Sequence, residues 1–107
     1  MSALHFTDRT RRNTADQATG AVVSVPVNIP TVTMRATDAD MVFESGVGLA
    51  DASTVLTGNG DDRSPTIPQG AWTQVWVGKD DTIAIKSGDA AQAVTFEIQP
   101  YQVKRAS

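Results

Sequence analysis

The strongest constraint on the fold is an alternation of apolar and polar residues, interrupted about every ten residues by glycine, proline or aspartate. Between Ala93 and Gln99, for example, Val94, Phe96 and Ile98 alternate with polar neighbours. A period of two is typical of a strand with one buried and one solvated face. No long stretch shows the 3.6-residue period of a helix, so the sequence predicts seven or eight short strands.

The stretch from Gly70 to Gln99 predicts three antiparallel strands joined by two tight turns, which contain Gly78 and Gly88. Pro26 cannot donate a backbone hydrogen bond, so the strand that contains it is expected at the edge of a sheet. Over the whole chain, strands are expected at 23–29, 31–37, 41–44, 54–57, 72–77, 82–86 and 93–99.

Composition favours strands and predicts a small core. The chain has twelve valines and thirteen threonines but three leucines, and β-branched residues fit strands better than helices. Leucine, isoleucine, valine and phenylalanine make up 23 of the 107 residues. That fraction lies close to the value of about 20% below which chains tend toward disorder. We therefore expect neighbouring molecules to cover part of the apolar surface.

These observations predict an all-β chain with one antiparallel β-sandwich or jelly-roll-like domain. The domain is expected over residues 20–103, after an extended N-terminal arm at 1–19 and before a C-terminal tail at 104–107. No apolar run approaches the roughly 20 residues of a membrane-spanning helix, so no membrane partner is expected. The absence of cysteine excludes disulfides.

The predicted arm differs from the body in charge. Residues 20–99 carry ten acidic and four basic residues, whereas the two tails together have a net charge of +3. An acidic body disfavours binding to nucleic acid, and opposite charges favour contacts between copies. The arm is expected either to dock on its own domain as a short strand or helix, or to cross a neighbouring subunit. Nucleic-acid contact by its arginines is a third alternative. Its candidate contact residues are Leu4, Phe6, Arg9, Arg11 and Arg12.

No catalytic, cofactor or metal site is predicted. The one histidine, His5, lies in the arm and has no patterned partner for nucleophilic catalysis. The paired acids fall at turns, where aspartate hydrogen-bonds its own backbone, and calcium binding is the alternative. These pairs are Asp38/Asp40, Asp61/Asp62 and Asp80/Asp81.

Two tryptophans form the second set of candidate contacts. Trp72 and Trp76 share one face of their strand with Gln74, opposite Val75 and Val77. A strand that is apolar on both faces is typical of the middle of a sheet or of a surface covered by a partner. Stacking of Trp72, Trp76 and Tyr101 on a sugar is the alternative interpretation.

The polar arm, the Val/Thr-rich body and the stretch PQGAWTQVWVGKDDTIAIKSGDAAQAVTFEI resemble small virion proteins of tailed bacteriophages. The resemblance implies a non-enzymatic structural protein that decorates or stabilises a capsid, or lies in a neck or tail. It also implies partners such as a major capsid protein, homo-oligomers, and a place in the virion after assembly in the host cytoplasm. In this interpretation the arm contacts neighbours, and Trp72 and Trp76 lie in a buried interface. A carbohydrate-binding or adhesin module is the alternative.

Overall fold

The computed structural model describes residues 11–25, 30–57 and 63–99, which form eight strands and no helix. No segment of this described part is therefore a helix that could cross a membrane. The strands are β1 (Arg11–Ala15), β2 (Ala21–Ser24), β3 (Thr31–Ala36), β4 (Met41–Gly46), β5 (Thr66–Ile67), β6 (Thr73–Trp76), β7 (Thr82–Ser87) and β8 (Val94–Gln99).

The strands form two four-stranded antiparallel sheets, as expected for a β-sandwich. Sheet A has the order β1-β8-β3-β6, and sheet B has the order β2-β7-β4-β5. The predicted all-β class and two-sheet architecture are confirmed.

The main core lies between the sheets and follows the period-two alternation. Sheet A contributes inward side chains from its two central strands, and sheet B contributes those of β7, β4 and β5. The largest of these side chains, with at most 1% of their surface exposed, are Val32, Met34, Met41, Ile67, Ile83, Ile85, Val94, Phe96 and Ile98. Burial of this apolar surface is the main force that holds the sheets together.

The outer face of sheet B is covered by the chain that follows β4. Ala52 and Val55 pack on Val42 and Ala84, which point away from the main core. Residues 54–57 were predicted to form a strand, and this prediction is wrong. The N–H of Val55 instead donates to the carbonyl of Ala52 at 3.0 Å, which closes a turn and directs Val55 onto the sheet.

The predicted three-stranded meander over Gly70–Gln99 is also wrong, although its three strands exist. β6 pairs with β3, β7 pairs with β2 and β4, and β8 pairs with β1 and β3. The chain thus crosses from one sheet to the other after β6 and again after β7. Both connections join opposite sheets, and the inward apolar residues of the strands they link pack face to face across the core.

Two predictions about edges have different outcomes. Ala21–Ser24 pairs with β7 alone and is an edge strand of sheet B, as expected; Pro26 itself lies outside the described residues. β6 is the edge strand of sheet A, so the central position considered for Trp72 and Trp76 is wrong.

Part of the predicted arm belongs to the body. Arg11–Ala15 forms β1 and pairs with β8 along its whole length, so these residues dock on their own domain. The side chain of Asp16 closes the next turn by accepting the N–H groups of Thr19 and Gly20 at 2.7 and 2.8 Å. Residues 1–10 lie outside the described residues, as do residues 100–107 of the C-terminal region.

Candidate functional site

The outer face of sheet A carries a row of side chains that runs across β1, β8 and β3 and ends beside the start of β6. The strand register places Arg12 of β1 opposite Glu97 of β8, and Glu97 opposite Arg35 of β3. The row ends at Trp72, just before β6, whose ring centroid lies 4.8 Å from the guanidinium carbon of Arg35. We call Arg12, Glu97, Arg35 and Trp72 the charged row.

Hydrogen bonds hold the charged row together. Glu97 accepts from Arg12 Nη2 at 2.6 Å and from Arg35 Nε at 3.0 Å, and Arg35 Nη2 is a third donor. Glu97 is only 5% exposed because the two arginines cover it. The hydrogen bonds from Arg12 and then from Arg35 lower the pKa of Glu97, although burial opposes them. Glu97 is therefore ionised at neutral pH, which leaves the row with one net positive charge.

Both tryptophans are exposed, Trp72 at the end of the charged row and Trp76 on the same face of β6. Trp72 is 41% exposed and Trp76 is 72% exposed, whereas Val75 and Val77 on the opposite face are buried. The indole of Trp76 lies against Gly78, where an added Cβ would be 3.2 Å from Nε1. Gly78 also adopts a φ of +60°, so glycine provides both the turn and the space for the ring. The face predicted from alternation is confirmed, and it is open in the isolated chain.

Within the described part of the chain, the edge of sheet A at β6 has backbone groups that no other strand pairs with. The N–H of Val77 donates to the carbonyl of Pro30 at 2.7 Å, so residue 77 is bonded toward β3. In an antiparallel ladder the bonded residues alternate, so Thr73 and Val75 also bond toward β3. The backbone N–H and C=O groups of Gln74 and Trp76 consequently point outward. The strand, TQVW, carries no charge that would oppose pairing with another strand.

A groove of about 490 Å³ runs beside this edge, between β6 and the edge of sheet B. Its apolar wall includes Phe43, Ile67, Val75 and Trp76. β5 pairs with Met41 and Val42, and the N–H of Phe43 donates to the carbonyl of Pro65 just before β5 at 3.1 Å, so β4 extends past this pairing only from Glu44 to Gly46. Edges of both sheets are thus accessible on the same side of the sandwich.

One hydroxyl on this face has no hydrogen-bond partner within the described part of the chain. Thr33 lies opposite Gln74 in the ladder and is 5% exposed, and its Oγ1 is buried without a donor or acceptor. Such a group loses its contacts with water without gaining a protein contact.

The structure brings some of the predicted site residues together. Trp72, Trp76 and Arg12 share the outer face of sheet A, but Arg12 lies at the β1 edge and the tryptophans lie at the β6 edge. Arg11 is part of β1. Leu4, Phe6, Arg9, His5 and Tyr101 lie outside the described residues. Sequence reasoning missed Arg35 and Glu97 because their pairing depends on strand order; their polar positions in alternating strands were the available signal.

The described acidic pairs lie at or beside turns, but their carboxylates accept hydrogen bonds from distant parts of the chain, whereas bonds to their own turn backbone were predicted. Asp38 accepts from the N–H and hydroxyl of Thr95 at 2.7 and 3.0 Å, and Asp40 accepts from the N–H of Gln69 at 3.0 Å. Asp80 accepts from the hydroxyl of Ser45 in β4 at 2.7 Å, and Asp81 accepts from the N–H of Gly48 just after β4 at 2.8 Å. Within the described ranges, no group of three or more acids or histidines could hold a metal ion. Asp61 and Asp62 lie outside these ranges.

Comparison with models of protein families, with curated proteins and with solved structures gave no match. The functional proposal therefore depends on the surface described above and on the resemblance noted from the sequence.

Proposed function

We propose that this chain is a non-enzymatic structural protein of a tailed-phage virion, where it decorates or stabilises the capsid. The observation that carries the proposal is the exposed indole of Trp76, which lies on an uncharged strand that no second strand pairs with among the described residues on its outer side. Large exposed apolar groups beside an open strand edge are typical of surfaces that assembly covers.

The distribution of polar groups supports an assembly role over catalysis. Carboxylates of the described acidic pairs accept hydrogen bonds from distant segments of the chain, and Glu97 is ionised between two arginines. A carboxylate in this state stabilises a surface and is not a general acid at neutral pH. The charge difference between tails and body favours contacts between copies or with capsid proteins. Residues 1–10, with Leu4 and Phe6, are proposed to contact the capsid.

The test uses particles of the phage that encodes this chain. Mass spectrometry of purified particles should detect the chain at a fixed copy number relative to the major capsid protein. Deletion of residues 2–10 should abolish incorporation and leave the circular dichroism spectrum of the purified chain unchanged. The deletion stops at residue 10 because Arg11–Ala15 is a strand of the body. Particles that lack the full-length chain, or that incorporate the truncated chain equally well, would contradict the proposal.

A carbohydrate-binding or adhesin module is the second candidate. Trp72 and Trp76 lie on one exposed face, four residues apart, which corresponds to about 13 Å along a strand. The amide of Gln74 lies between the two rings and could orient a sugar that stacks on them. A glycan array with wild type and Trp76→Ala distinguishes the candidates. Binding that is lost in Trp76→Ala favours the module, and absence of binding favours the assembly role.

A further inference from the structure

The residues of β6 are arranged symmetrically about Gln74. Trp72 and Trp76 lie two positions before and after it on the outer face, and Thr73 and Val75 flank it on the inner face. We propose that β6 pairs with β6 of a second copy around a two-fold axis at Gln74. The dimer would join two copies of sheet A into one continuous antiparallel sheet.

The register of this pairing agrees with the backbone groups that point away from β3. A two-fold axis at Gln74 makes Gln74 face its own equivalent, and the pair must exchange two backbone hydrogen bonds. This requires the N–H and C=O of Gln74 to point away from β3. The hydrogen bond from Val77 to Pro30 places them in that direction. A register shifted by one residue would need the groups of Val75, which already bond toward β3.

The same register pairs the exposed aromatic side chains. Trp72 of one copy lies opposite Trp76 of the second copy, and the reverse pair forms on the other side of the axis. Directly opposed aromatic residues are among the favourable cross-strand pairs. From their exposed fractions, the two indoles of each copy could contribute at most about 250 Å² to the interface. The groove walls beside β6 lie on the same side and add apolar contact area.

A second copy fits this edge better than the other candidate partners. β1 is the other open edge of sheet A and could also add to β6, but the exposed side chain of Arg12 on it already bonds Glu97. The exposed aromatic surface is concentrated at β6, and no charge on TQVW faces its own equivalent across the axis. Head-to-tail pairing through β1 and sugar binding are therefore alternative outcomes of the test.

The primary measurement is the mass of the purified full-length chain by sedimentation velocity and native mass spectrometry from about 1 to 100 μM, a range that brackets the μM affinities of modest interfaces. We expect a concentration-dependent dimer, with a blue shift of tryptophan emission as the dimer forms. A chain that stays monomeric throughout this range would overturn the inference. A monomer that still enters particles would leave the proposed function intact, so the two failures are distinguishable.

Charge exchange at the axis tests the register. Gln74→Lys and Gln74→Glu each place like charges directly opposite one another and should weaken the dimer by up to about fivefold. An equimolar mixture of the two variants should restore dimerisation as a Lys/Glu heterodimer. The side chain of Gln74 is exposed, so both variants should keep the circular dichroism spectrum of the wild type.

A matched control changes the other edge of sheet A. Thr14→Lys places a charge on exposed β1 and should leave the dimer unchanged. Dimers that resist both Gln74 variants, or that are lost in Thr14→Lys, would overturn the β6 pairing and favour the β1 edge. Failure of the mixed variants to restore the dimer would overturn the two-fold axis at Gln74.

Discussion

Replacement of Glu97 by glutamine tests whether the charged row stabilises the fold. The substitution keeps the size of the side chain and one acceptor oxygen, but it removes the negative charge between Arg12 and Arg35. It also turns an amide NH₂ toward guanidinium groups that are themselves donors. We expect a less stable protein at neutral pH and a smaller dependence of stability on acid pH.

The expected loss of stability in Glu97→Gln follows from the exposure of the two arginines. The side chain of Arg12 is 67% exposed, and such exposed pairs contribute about 0.2–1 kcal/mol. The side chain of Arg35 is 34% exposed and donates twice, and hydrogen bonds to charged groups contribute about 1.5–3 kcal/mol. Relief of the desolvation of a buried carboxylate offsets part of the loss. A net loss of about 2 kcal/mol corresponds to a decrease in Tm of about 8 °C for a chain of this size.

The pH dependence of the stability difference between wild type and Glu97→Gln is a more specific test than its size at pH 7. The pKa of Glu97 is lowered in the folded state, so its stabilisation is present above its ordinary pKa and is lost as the pH falls through the folded-state pKa. Urea denaturation of wild type and Glu97→Gln at pH 7 should differ by about 2 kcal/mol, and the difference should shrink below about pH 4. Glu44→Gln is the control, because Glu44 accepts from the hydroxyl of Ser64 and glutamine can do the same. Equal stability at pH 7, or a difference that persists at low pH, would refute the assigned role.

Three further substitutions test local features. Gly20→Ala should destabilise the fold by about 2 kcal/mol or more, since Gly20 has a φ of +73° and an added Cβ would lie 2.4 Å from the carbonyl oxygen of Ile85; an unchanged urea midpoint would contradict this. Ser64→Ala removes the hydroxyl that accepts the N–H of Leu56 at 2.9 Å and should cost about 1–3 kcal/mol, with faster hydrogen exchange at Leu56. Thr33→Val removes a buried hydroxyl without a partner and should leave stability unchanged or increase it; a loss above about 1 kcal/mol would show that the hydroxyl is bonded.

Strand positions could be predicted where the local alternation is strong. Strands were expected at 31–37, 82–86 and 93–99, and they lie at Thr31–Ala36, Thr82–Ser87 and Val94–Gln99. The prediction at 54–57 was wrong because Thr54, Val55 and Thr57 have β-branched side chains that favour strands in isolation. Packing of Val55 against the outer face of sheet B overrides that preference.

The pairing of strands could not be predicted from the same signal. Alternation shows which side chains point inward, but it does not show which inward faces belong to the same sheet. The tight turns after β6 and β7 were interpreted as hairpins, whereas both connect opposite sheets. The charged row depends on this order, because Glu97 meets Arg12 and Arg35 only when β8 lies between β1 and β3.

The positions of the exposed apolar side chains indicate where a partner could cover the surface that the small core leaves open. Among the described residues, the large apolar side chains that remain exposed are Val47, Leu56, Trp72 and Trp76. The segment after β4 covers the outer face of sheet B, but no described segment covers the corresponding face of sheet A at β6. Trp76 lies on that strand and Trp72 lies just before it, beside backbone groups that point away from β3. Exposed tryptophans concentrated at one strand edge favour a single strand-like partner, and we propose β6 of a second copy as that partner.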